Sequence, residues 1–321
     1  RAARELGINT VAVYSEADKN SLHTILADEA ICIGPARSTD SYLNMNAVLS
    51  AAVVTGAEAI HPGFGFLSEN SKFATMCEEM HIKFIGPSAE IMDKMGDKIN
   101  ARAEMIAANV PVIPGSDGEV FTAEQALEVA EKLGYPVMLK ASAGGGGKGI
   151  RKVESAQDLV PAFESASQEA LAAFGNGAMY IEKVVYPARH IEVQILGDSY
   201  GNVVHLGERD CSLQRNNQKV LEESPSIAIG KTLRGKIGDA AVRAAKAVGY
   251  ENAGTIEFLL DEKTSQFYFM EMNTRVQVEH PVTEFVTGVD IVKEQIRIAA
   301  GQELSVTQDD IKITGHAIEC R

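Results

Sequence analysis

A run of glycines between two apolar segments is the feature that most constrains the fold of this chain. Ala143-Gly-Gly-Gly-Gly-Lys-Gly149 follows Val137–Ala141 and precedes Ile150–Val153, and both flanking segments have strand composition. Glycine backbone N–H groups can wrap a phosphate without Cβ clashes, and Lys140 and Lys148 add positive charge. The sequence therefore predicts a strand–loop–strand flap over phosphates; the alternative is a flexible hairpin tip.

Two better-known glycine motifs do not fit this segment. Gly144, Gly146 and Gly149 have the spacing of a dinucleotide-binding motif, but a strand-like segment rather than a helix follows the last glycine. A P-loop would need glycine at Ser142 and a hydroxyl residue at Gly149. A flap of the kind that kinases place over ATP phosphates remains.

The chain before residue 97 alternates strands and helices. The predicted elements are a strand at Thr10–Tyr14, a helix at Asn46–Thr55, a strand at Glu58–Ile60, a helix ending near Met80 and a strand at Lys83–Gly86. This alternation predicts an α/β domain with a parallel sheet and helices on both faces. Ligands bind at the carboxyl ends of such strands, where the loop His61–Glu69 lies.

Turn residues divide the rest of the chain. Pro111 and the segment Pro114–Gly118 mark a break, and Thr122 and Gln125 form a capping box that begins a helix. We predict a domain at 1–96, a connecting helix and linker at 97–112, a compact α+β unit with the glycine segment at 113–185, and a domain at 186–321. The last domain has antiparallel-looking strands at Ile191–Leu196, Val203–Leu206, Thr255–Leu260 and Gln266–Met272, and helices near 232–248 and 289–300.

Two glutamates stand inside apolar strands of that last domain. Glu257 lies within Thr255–Leu260, Glu271 follows the turn Asp261–Ser265, and the two should be neighbours in a hairpin. Because an unpaired buried carboxylate costs several kcal/mol, each needs a cation. Asn273 shares the face of Glu271, and two carboxylates with an amide oxygen suit Mg²⁺. The alternative is a pair of surface carboxylates on a solvated sheet face.

Polar side chains continue with a period of two beyond this strand. Glu271, Asn273, Arg275, Gln277 and Glu279 would line one face if the segment were extended. Such a row is typical of a binding site or of the polar side of an edge strand. A second polar segment, Glu208–Lys219, is predicted on its own to be a solvated loop.

Composition excludes several classes of function. Lys plus Arg number 30 against 44 Asp plus Glu, a net charge of −14, which argues against a nucleic-acid surface. No apolar run approaches the roughly 18 residues of a membrane helix. The four scattered cysteines form no CxxC pair and the histidines show no HxH or HxxxH spacing, which favours a reducing cytoplasm and disfavours zinc. Because Arg1–Gly7 has the pattern of a helix end and Glu319–Arg321 of a strand interior, we expect a fragment of a longer protein.

Four motifs together resemble those of biotin carboxylases, which are ATP-grasp enzymes. They are His61-Pro-Gly-Phe-Gly-Phe-Leu-Ser-Glu-Asn70, Lys140–Gly149, Glu208–Lys219 and Glu271-Met-Asn-Thr-Arg-Val-Gln-Val-Glu-His-Pro281. The resemblance covers essentially the whole chain, and the last motif is shared with carbamoyl-phosphate synthetases. It implies an ATP-grasp fold: an N-terminal Rossmann-like parallel-sheet domain without its first strand, a small α+β lid with the glycine flap, and a truncated C-terminal antiparallel-sheet domain.

The resemblance also implies ligands. ATP would lie between the lid and the last domain, in contact with Lys98, Lys140, Gly146, Gly147, Glu182, Lys183, Val185, His190, Gln214, Asn217, Glu257, Leu259 and Glu271. Two Mg²⁺ or Mn²⁺ ions would be held by Glu257, Glu271 and Asn273. Bicarbonate and biotin would contact Lys219, Arg275, Gln277, Val278, Glu279 and Arg321, with Arg275, Glu279 and Lys219 catalytic. Asn217 replaces the histidine of the best-known members, and it can donate a hydrogen bond but carries no charge.

The activity implied by the resemblance is that of an ATP-dependent ligase that forms a C–N bond. Bicarbonate would be activated as carboxyphosphate and transferred to biotin on a biotin carboxyl carrier protein, the first half-reaction of acetyl-CoA carboxylase in fatty acid synthesis. Carboxyltransferase subunits and a second copy of the chain would be further partners. The alternatives are the biotin carboxylase segment of a pyruvate or propionyl-CoA carboxylase and, in another class, a non-catalytic nucleotide-binding fragment.

Overall fold

The computed structural model describes residues 1–142, 149–216 and 218–321. These residues form two compact units. The large unit comprises Arg1–Gly96, His190–Glu257 and Glu271–Arg321, and the small unit comprises Asp97–Arg189 and Phe258–Met270. The mixed α/β architecture predicted from the sequence is confirmed.

The described residues form helices and strands along the whole chain. The first are α1 (Ala2–Glu5), β1 (Val11–Ser15), α2 (Leu22–Leu26), β2 (Glu29–Gly34), α3 (Met45–Thr55), β3 (Ala59–Ile60), α4 (Ser71–Glu79), β4 (Lys83–Phe84), α5 (Ala89–Gly96), α6 (Lys98–Ala107), α7 (Ala123–Leu133), β5 (Val137–Ala141), β6 (Arg151–Val153), α8 (Ala156–Phe174) and β7 (Met179–Lys183). The others are β8 (Ala188–Gly197), β9 (Val203–Arg215), β10 (Gln218–Ser224), α9 (Lys231–Ala247), β11 (Asn252–Asp261), β12 (Phe267–Asn273), α10 (His280–Thr287), α11 (Ile291–Ala299) and β13 (Ala317–Cys320). No helix in this described part combines the length and the apolar character that crossing a bilayer requires.

Parallel strand pairs form the N-terminal part of the large unit. β1 pairs with β2, and β3 pairs with β4, both in parallel. Helix α3 ends where Gly56 adopts a left-handed φ of 67°, as its position after the apolar pattern predicts. Phe73 and Cys77 of α4 pack with Leu49 and Phe84 in the core. The loop His61–Glu69 therefore leaves the carboxyl end of a parallel strand, as predicted.

The small unit is built on the antiparallel sheet β6-β5-β7. The capping box of Thr122 and Gln125 begins α7, and α7 and α8 pack on the sheet around Leu139 and Ile181. The amide of Ala141 donates to the carbonyl of Gly149 at 3.1 Å, which joins the two ends of the glycine segment. Residues 143–148 lie outside the described residues, so the flap stays a prediction.

A six-stranded sheet has the order β12-β11-β8-β9-β10-β13. β8 pairs antiparallel with β9, β9 with β10, and β10 with β13. The prediction of a solvated loop at Glu208–Lys219 is wrong, because most of this segment forms the end of β9 and the start of β10. Glu208, Arg209 and Asp210 are buried, and their polar groups form hydrogen bonds with side chains of Arg234, Gln277 and Ser226.

The four cysteines divide into an exposed and a buried pair, which predicts their reactivity. Cys32 and Cys320 are exposed, whereas Cys77 and Cys211 are buried. Burial raises the pKa of the Cys77 thiol to about 11, and it raises the pKa of Cys211 well above its usual value. Because the thiolate is the nucleophile, we expect Ellman's reagent to modify two thiols rapidly in the native protein and four after denaturation. Cys32→Ser should remove one rapid thiol, and rapid reaction of three in the native protein would contradict the assignment.

Candidate active site

The ammonium of Lys219, at the start of β10, is the centre of a buried cluster of charges in the large unit. Its Nζ lies 2.5 Å from Oε2 of Glu192, 3.1 Å from Oε1 of Glu257 and 2.8 Å from Oε1 of Glu279. Strands β8 and β11 supply the first two carboxylates, and Glu279 stands at the N-terminal end of α10. Burial favours the neutral amine, but the charges of Glu192 and Glu257, joined by that of Glu279, outweigh it and raise the pKa of Lys219. Lys219 is therefore a fixed positive charge at neutral pH.

Glu257 is the most heavily contacted carboxylate of the cluster. Its Oε1 accepts hydrogen bonds from Lys219, from Nδ2 of Asn273 at 2.8 Å and from Nε2 of Gln277 at 3.1 Å. Its Oε2 lies 2.7 Å from Nε2 of His190. Burial would raise the pKa of Glu257, but the contact with His190 and the charge of Lys219 more than offset it, so the pKa is lowered. This side chain is a buried anion, as the sequence predicts.

His190 connects Glu257 to a second predicted site residue. Its Nδ1 lies 2.8 Å from Nε2 of Gln214, and Gln214 also donates to the carbonyl of Cys211 at 3.0 Å. The contact from His190 to Glu257 has ion-pair distance but lacks the alignment of a hydrogen bond. Burial acts to lower the pKa of His190, but the adjacent Glu257 carboxylate outweighs it and raises the pKa. The structure thus brings His190 and Gln214 together beside a carboxylate.

Glu279 lies between two cations. Its Oε1 accepts from Lys219, and its Oε2 accepts from Nη2 of Arg321 at 2.6 Å. The same Nη2 lies 2.6 Å from Oε1 of Glu222, a fully buried residue of β10. Glu279 itself is only 2% exposed. A carboxylate held in this way has a fixed position beside positive charge, which suits a base that acts on an anionic substrate.

Arg275 is held by Glu69 of the loop His61–Glu69, which follows β3. Its Nε donates to Oε2 of Glu69 at 2.9 Å, and its Nη2 donates to Oδ1 of Asn273 at 3.1 Å. The other oxygen of Glu69 accepts from the backbone N of Thr274 at 2.9 Å. The guanidinium therefore has a defined orientation next to Asn273.

The period-two row of polar residues is only partly confirmed. β12 ends at Asn273 and α10 begins at His280, so the condition of one extended segment is met only as far as Asn273. Residues 274–279 are irregular, yet Asn273, Gln277 and Glu279 still reach the charge cluster. Val278 is half-buried in the turn before α10.

The expectation that both strand glutamates are buried is wrong for one of them. Glu257 is 4% exposed, whereas Glu271 is classed as exposed. β12 is the last strand of the six-stranded sheet, while β11 lies between two strands of it, but Asn273 on the same strand is buried. Alternation within an apolar strand indicates a face, but it does not show whether that face is covered.

The oxygen donors near Glu257 suit a hard divalent cation. The Glu257 carboxylate accepts from Nδ2 of Asn273, and Oδ1 of Asn273 accepts from Arg275. Glu271 stands two residues before Asn273 on the same strand. Mg²⁺ and Mn²⁺ take ligands of this kind. Another group, His190, Glu192 and Glu257, also has ligand atoms within 4.8 Å of one another, but it includes an imidazole nitrogen, whereas Mg²⁺ prefers oxygen ligands.

The predicted nucleotide residues of the small unit make contacts within that unit. Lys140 and Glu182 are diagonal neighbours on one face of β5 and β7, and they form an ion pair. The ammonium of Lys183 donates to the carbonyls of Gly134 at 2.7 Å and Tyr135 at 3.1 Å. Val185 and Leu259 are half-buried and Lys98 is exposed at the start of α6. The predicted residues Gly146, Gly147 and Asn217 lie outside the described residues.

Three residues that support the cluster are not predicted from the sequence. Glu192 pairs with Lys219, Arg209 pairs with Glu192, and Glu69 holds Arg275. A signal for the first was present, since Ile191-Glu-Val-Gln-Ile195 places two polar residues on one face of a strand. That face is buried, so polar groups on it require partners.

Two models of known protein families match this chain. Residues 1–92 match the family model described as biotin carboxylase, N-terminal domain, and residues 97–307 match that described as carbamoyl-phosphate synthase L chain, ATP binding domain. Biotin carboxylase 1 of Bacillus subtilis (strain 168) is 58% identical over 321 residues, which are 100% of this chain and 71% of that protein.

Solved structures show the same likeness. A biotin carboxylase–β-γ-ATP complex from Campylobacter jejuni has a TM-score of 0.94 and 55% identity, and the match covers 100% of this chain and 72% of that one. The biotin carboxylase domain dimer of Hydrogenobacter thermophilus 2-oxoglutarate carboxylase, in complex with MgADP, ADP and bicarbonate, has a TM-score of 0.91 and 53% identity, over 100% of this chain and 70% of that one. With such identity along its entire length, this chain belongs to the biotin carboxylase family of ATP-grasp proteins.

Proposed function

We propose that this protein carboxylates biotin in an ATP-dependent reaction with bicarbonate. The observation that carries the proposal is Glu279, a buried carboxylate held between the cations Lys219 and Arg321. Bicarbonate is an anion and a weak nucleophile, so its activation needs both positive charge and a base at one position. Membership of the biotin carboxylase family supports the same reaction.

In the first step, Glu279 accepts the proton of bicarbonate. The bicarbonate oxygen then forms a bond to the γ-phosphorus of ATP while the bond from that phosphorus to ADP breaks, which gives carboxyphosphate and ADP. Lys219, Gln277 and Val278 would frame the bicarbonate. Lys219 is suited to this because it is a fixed charge whose position three carboxylates define.

Glu257, Glu271 and Asn273 would hold Mg²⁺ or Mn²⁺, with two ions expected. When bound, such ions neutralise charge on the phosphates of ATP. The residues proposed to contact the nucleotide are Lys98, Lys140, Gly146, Gly147, Glu182, Lys183, Val185, His190, Gln214, Asn217, Glu257, Leu259 and Glu271. Because the ammonium of Lys183 is bonded to two carbonyls, its contribution would come from its backbone.

In the second step, carboxyphosphate breaks into CO₂ and phosphate. The phosphate accepts the proton of the biotin ureido nitrogen, and the resulting enolate attacks CO₂ to form the C–N bond. We assign stabilisation of the enolate oxygen to Arg275, with Arg321 beside the biotin. Glu69 and Asn273 hold the guanidinium of Arg275 in place before the charge develops.

The biotin would be attached to a biotin carboxyl carrier protein, with carboxyltransferase subunits as later partners and a homodimer as the assembly. We favour acetyl-CoA as the final acceptor, in fatty acid synthesis. The structural likeness to the biotin carboxylase subunit of a pyruvate carboxylase supports keeping pyruvate carboxylase as an alternative, and propionyl-CoA carboxylase is the other alternative. Reconstitution with each carboxyltransferase and its acceptor would distinguish them by the carboxylated product.

The division of the chain into domains with boundaries at residues 96, 112 and 185 also stays a prediction.

The test of the proposed function is ATP cleavage measured with and without free biotin. We expect cleavage that requires bicarbonate and Mg²⁺ and that rises when biotin is added, with carboxybiotin as the labelled product from ¹⁴C-bicarbonate. A non-catalytic nucleotide-binding protein would instead bind ATP without biotin-stimulated cleavage. That result, obtained with protein that binds ATP, would overturn the proposal.

A further inference from the structure

Arg209, in the middle of β9, is a fully buried arginine whose donors are all used. Its solvent-exposed fraction is 0%. Nε donates to Glu192 at 2.5 Å, Nη1 donates to Gln194 at 2.8 Å and to Thr283 at 3.0 Å, and Nη2 donates to Thr255 at 3.1 Å and to Gln277 at 2.9 Å. A guanidinium has five N–H donors, and here each has its own side-chain acceptor.

Two of these acceptors lead directly to the proposed bicarbonate residues. Glu192 accepts from Arg209 through Oε1 and from Lys219 through Oε2, so one carboxylate connects the two cations. Gln277 accepts from Arg209 through Oε1 and donates to Glu257 through Nε2. Arg209 therefore lies one side chain away from both Lys219 and Glu257.

The chemistry of arginine fixes the orientation of the Gln277 amide. Arginine can only donate, so the atom of Gln277 that faces it must be the oxygen, and the NH₂ group must face Glu257. Lysine at position 209 would keep the charge, but it could not supply five donors in one plane. With no donor left over, Arg209 itself is not placed to bind a substrate anion.

We propose that Arg209 is a positioning residue for bicarbonate activation, acting through Glu192 on Lys219 and through Gln277 on the amide that faces the site. This inference rests on the proposed function for its kinetic consequence only. The structural consequence, a fixed segment around Gln277, holds whatever reaction the site performs. The two consequences can be tested separately.

Arg209→Lys is the test, with Arg234→Lys as a matched control. Arg234 donates from Nε to both oxygens of buried Glu208, which precedes Arg209 on β9 and points to the opposite sheet face. In Arg209→Lys we expect the KM for bicarbonate to rise about tenfold and the KM for ATP to change less than about twofold, because displacing a positioned group weakens its own subsite. Arg234→Lys should leave both constants unchanged.

Hydrogen–deuterium exchange gives a readout that does not depend on activity. Exchange in the peptide that spans residues 274–283 should rise in Arg209→Lys and not in Arg234→Lys. If Arg209→Lys fails to fold, Thr255→Val, which removes one acceptor beside Gln277, should show the same selective changes at smaller size. The proposal is overturned if exchange in this peptide is unchanged, or if the KM values for ATP and bicarbonate rise equally. Absence of biotin-dependent turnover in the unmodified protein would instead refute the proposed function.

Discussion

Glu279→Gln should lower bicarbonate- and biotin-dependent ATP cleavage by about 10²–10⁴-fold, the usual contribution of a general base. Glutamine keeps the volume of the side chain, but its single amide oxygen can replace only one of the two carboxylate oxygens that accept from Lys219 at 2.8 Å and from Arg321 at 2.6 Å. It cannot take a proton from bicarbonate at neutral pH. The initial rates of ADP and carboxybiotin formation measure the loss, and ATP affinity should stay within about twofold of the unmodified protein.

Glu222→Gln separates proton transfer from simple loss of charge. Glu222 is also buried and also lies 2.6 Å from Nη2 of Arg321, but it does not contact Lys219. Burial raises the pKa of Glu222 in spite of the nearby Arg321. We expect this variant to lose at most a few-fold in rate. Equal losses in the two variants would show that the ion pair with Arg321, not a base, accounts for the effect of Glu279.

The charge cluster could be predicted in part, because its members come from motifs that are continuous in sequence. Glu257 stands inside an apolar strand, and Asn273, Gln277 and Glu279 follow one another closely. The structure brings these four residues to one place even though the backbone after Asn273 is not extended. The spacing correctly predicted that these side chains lie together, whereas the extended backbone that it assumed ends at Asn273.

The supporting residues could not be predicted in the same way, because each depends on a partner far along the chain. Arg209 is 17 positions from Glu192 and 68 from Gln277, and Glu69 is 206 positions from Arg275. A strand that carries Glu208, Arg209 and Asp210 has the local pattern of a solvated loop. Only the presence of buried partners makes such a strand stable, and local periodicity contains no information about them.

The burial of Glu257 and the exposure of Glu271 also could not be predicted from the sequence. Both are acidic residues in apolar strands, and the sequence gives no reason to treat them differently. In the structure Glu257 is 4% exposed and Glu271 is exposed, although Asn273 on the same strand as Glu271 is buried. Burial is therefore a property of the assembled sheet.

Arg275→Ala should lower the formation of carboxybiotin by about 10²–10³-fold, the usual cost of losing one preorganised group that stabilises developing negative charge. The slow bicarbonate-dependent cleavage of ATP without biotin should change less than about threefold, because that step does not form the enolate. Because the Arg275 side chain is only 21% exposed, its removal also costs packing, so the thermal unfolding of the variant should be measured beside the rates. Both rates can be measured on one preparation, with and without free biotin.

Two further variants show whether the orientation of Arg275 matters as well as its charge. Glu69→Gln weakens the contact that holds Nε of Arg275 at 2.9 Å, and it should cause a smaller loss in the same biotin-dependent rate. Arg243→Ala, at an exposed position of α9, removes an equal charge elsewhere in the large unit and should have no effect. If Arg275→Ala lowers the biotin-independent and biotin-dependent rates by the same factor, Arg275 acts on bicarbonate or ATP and its assignment to the enolate is wrong.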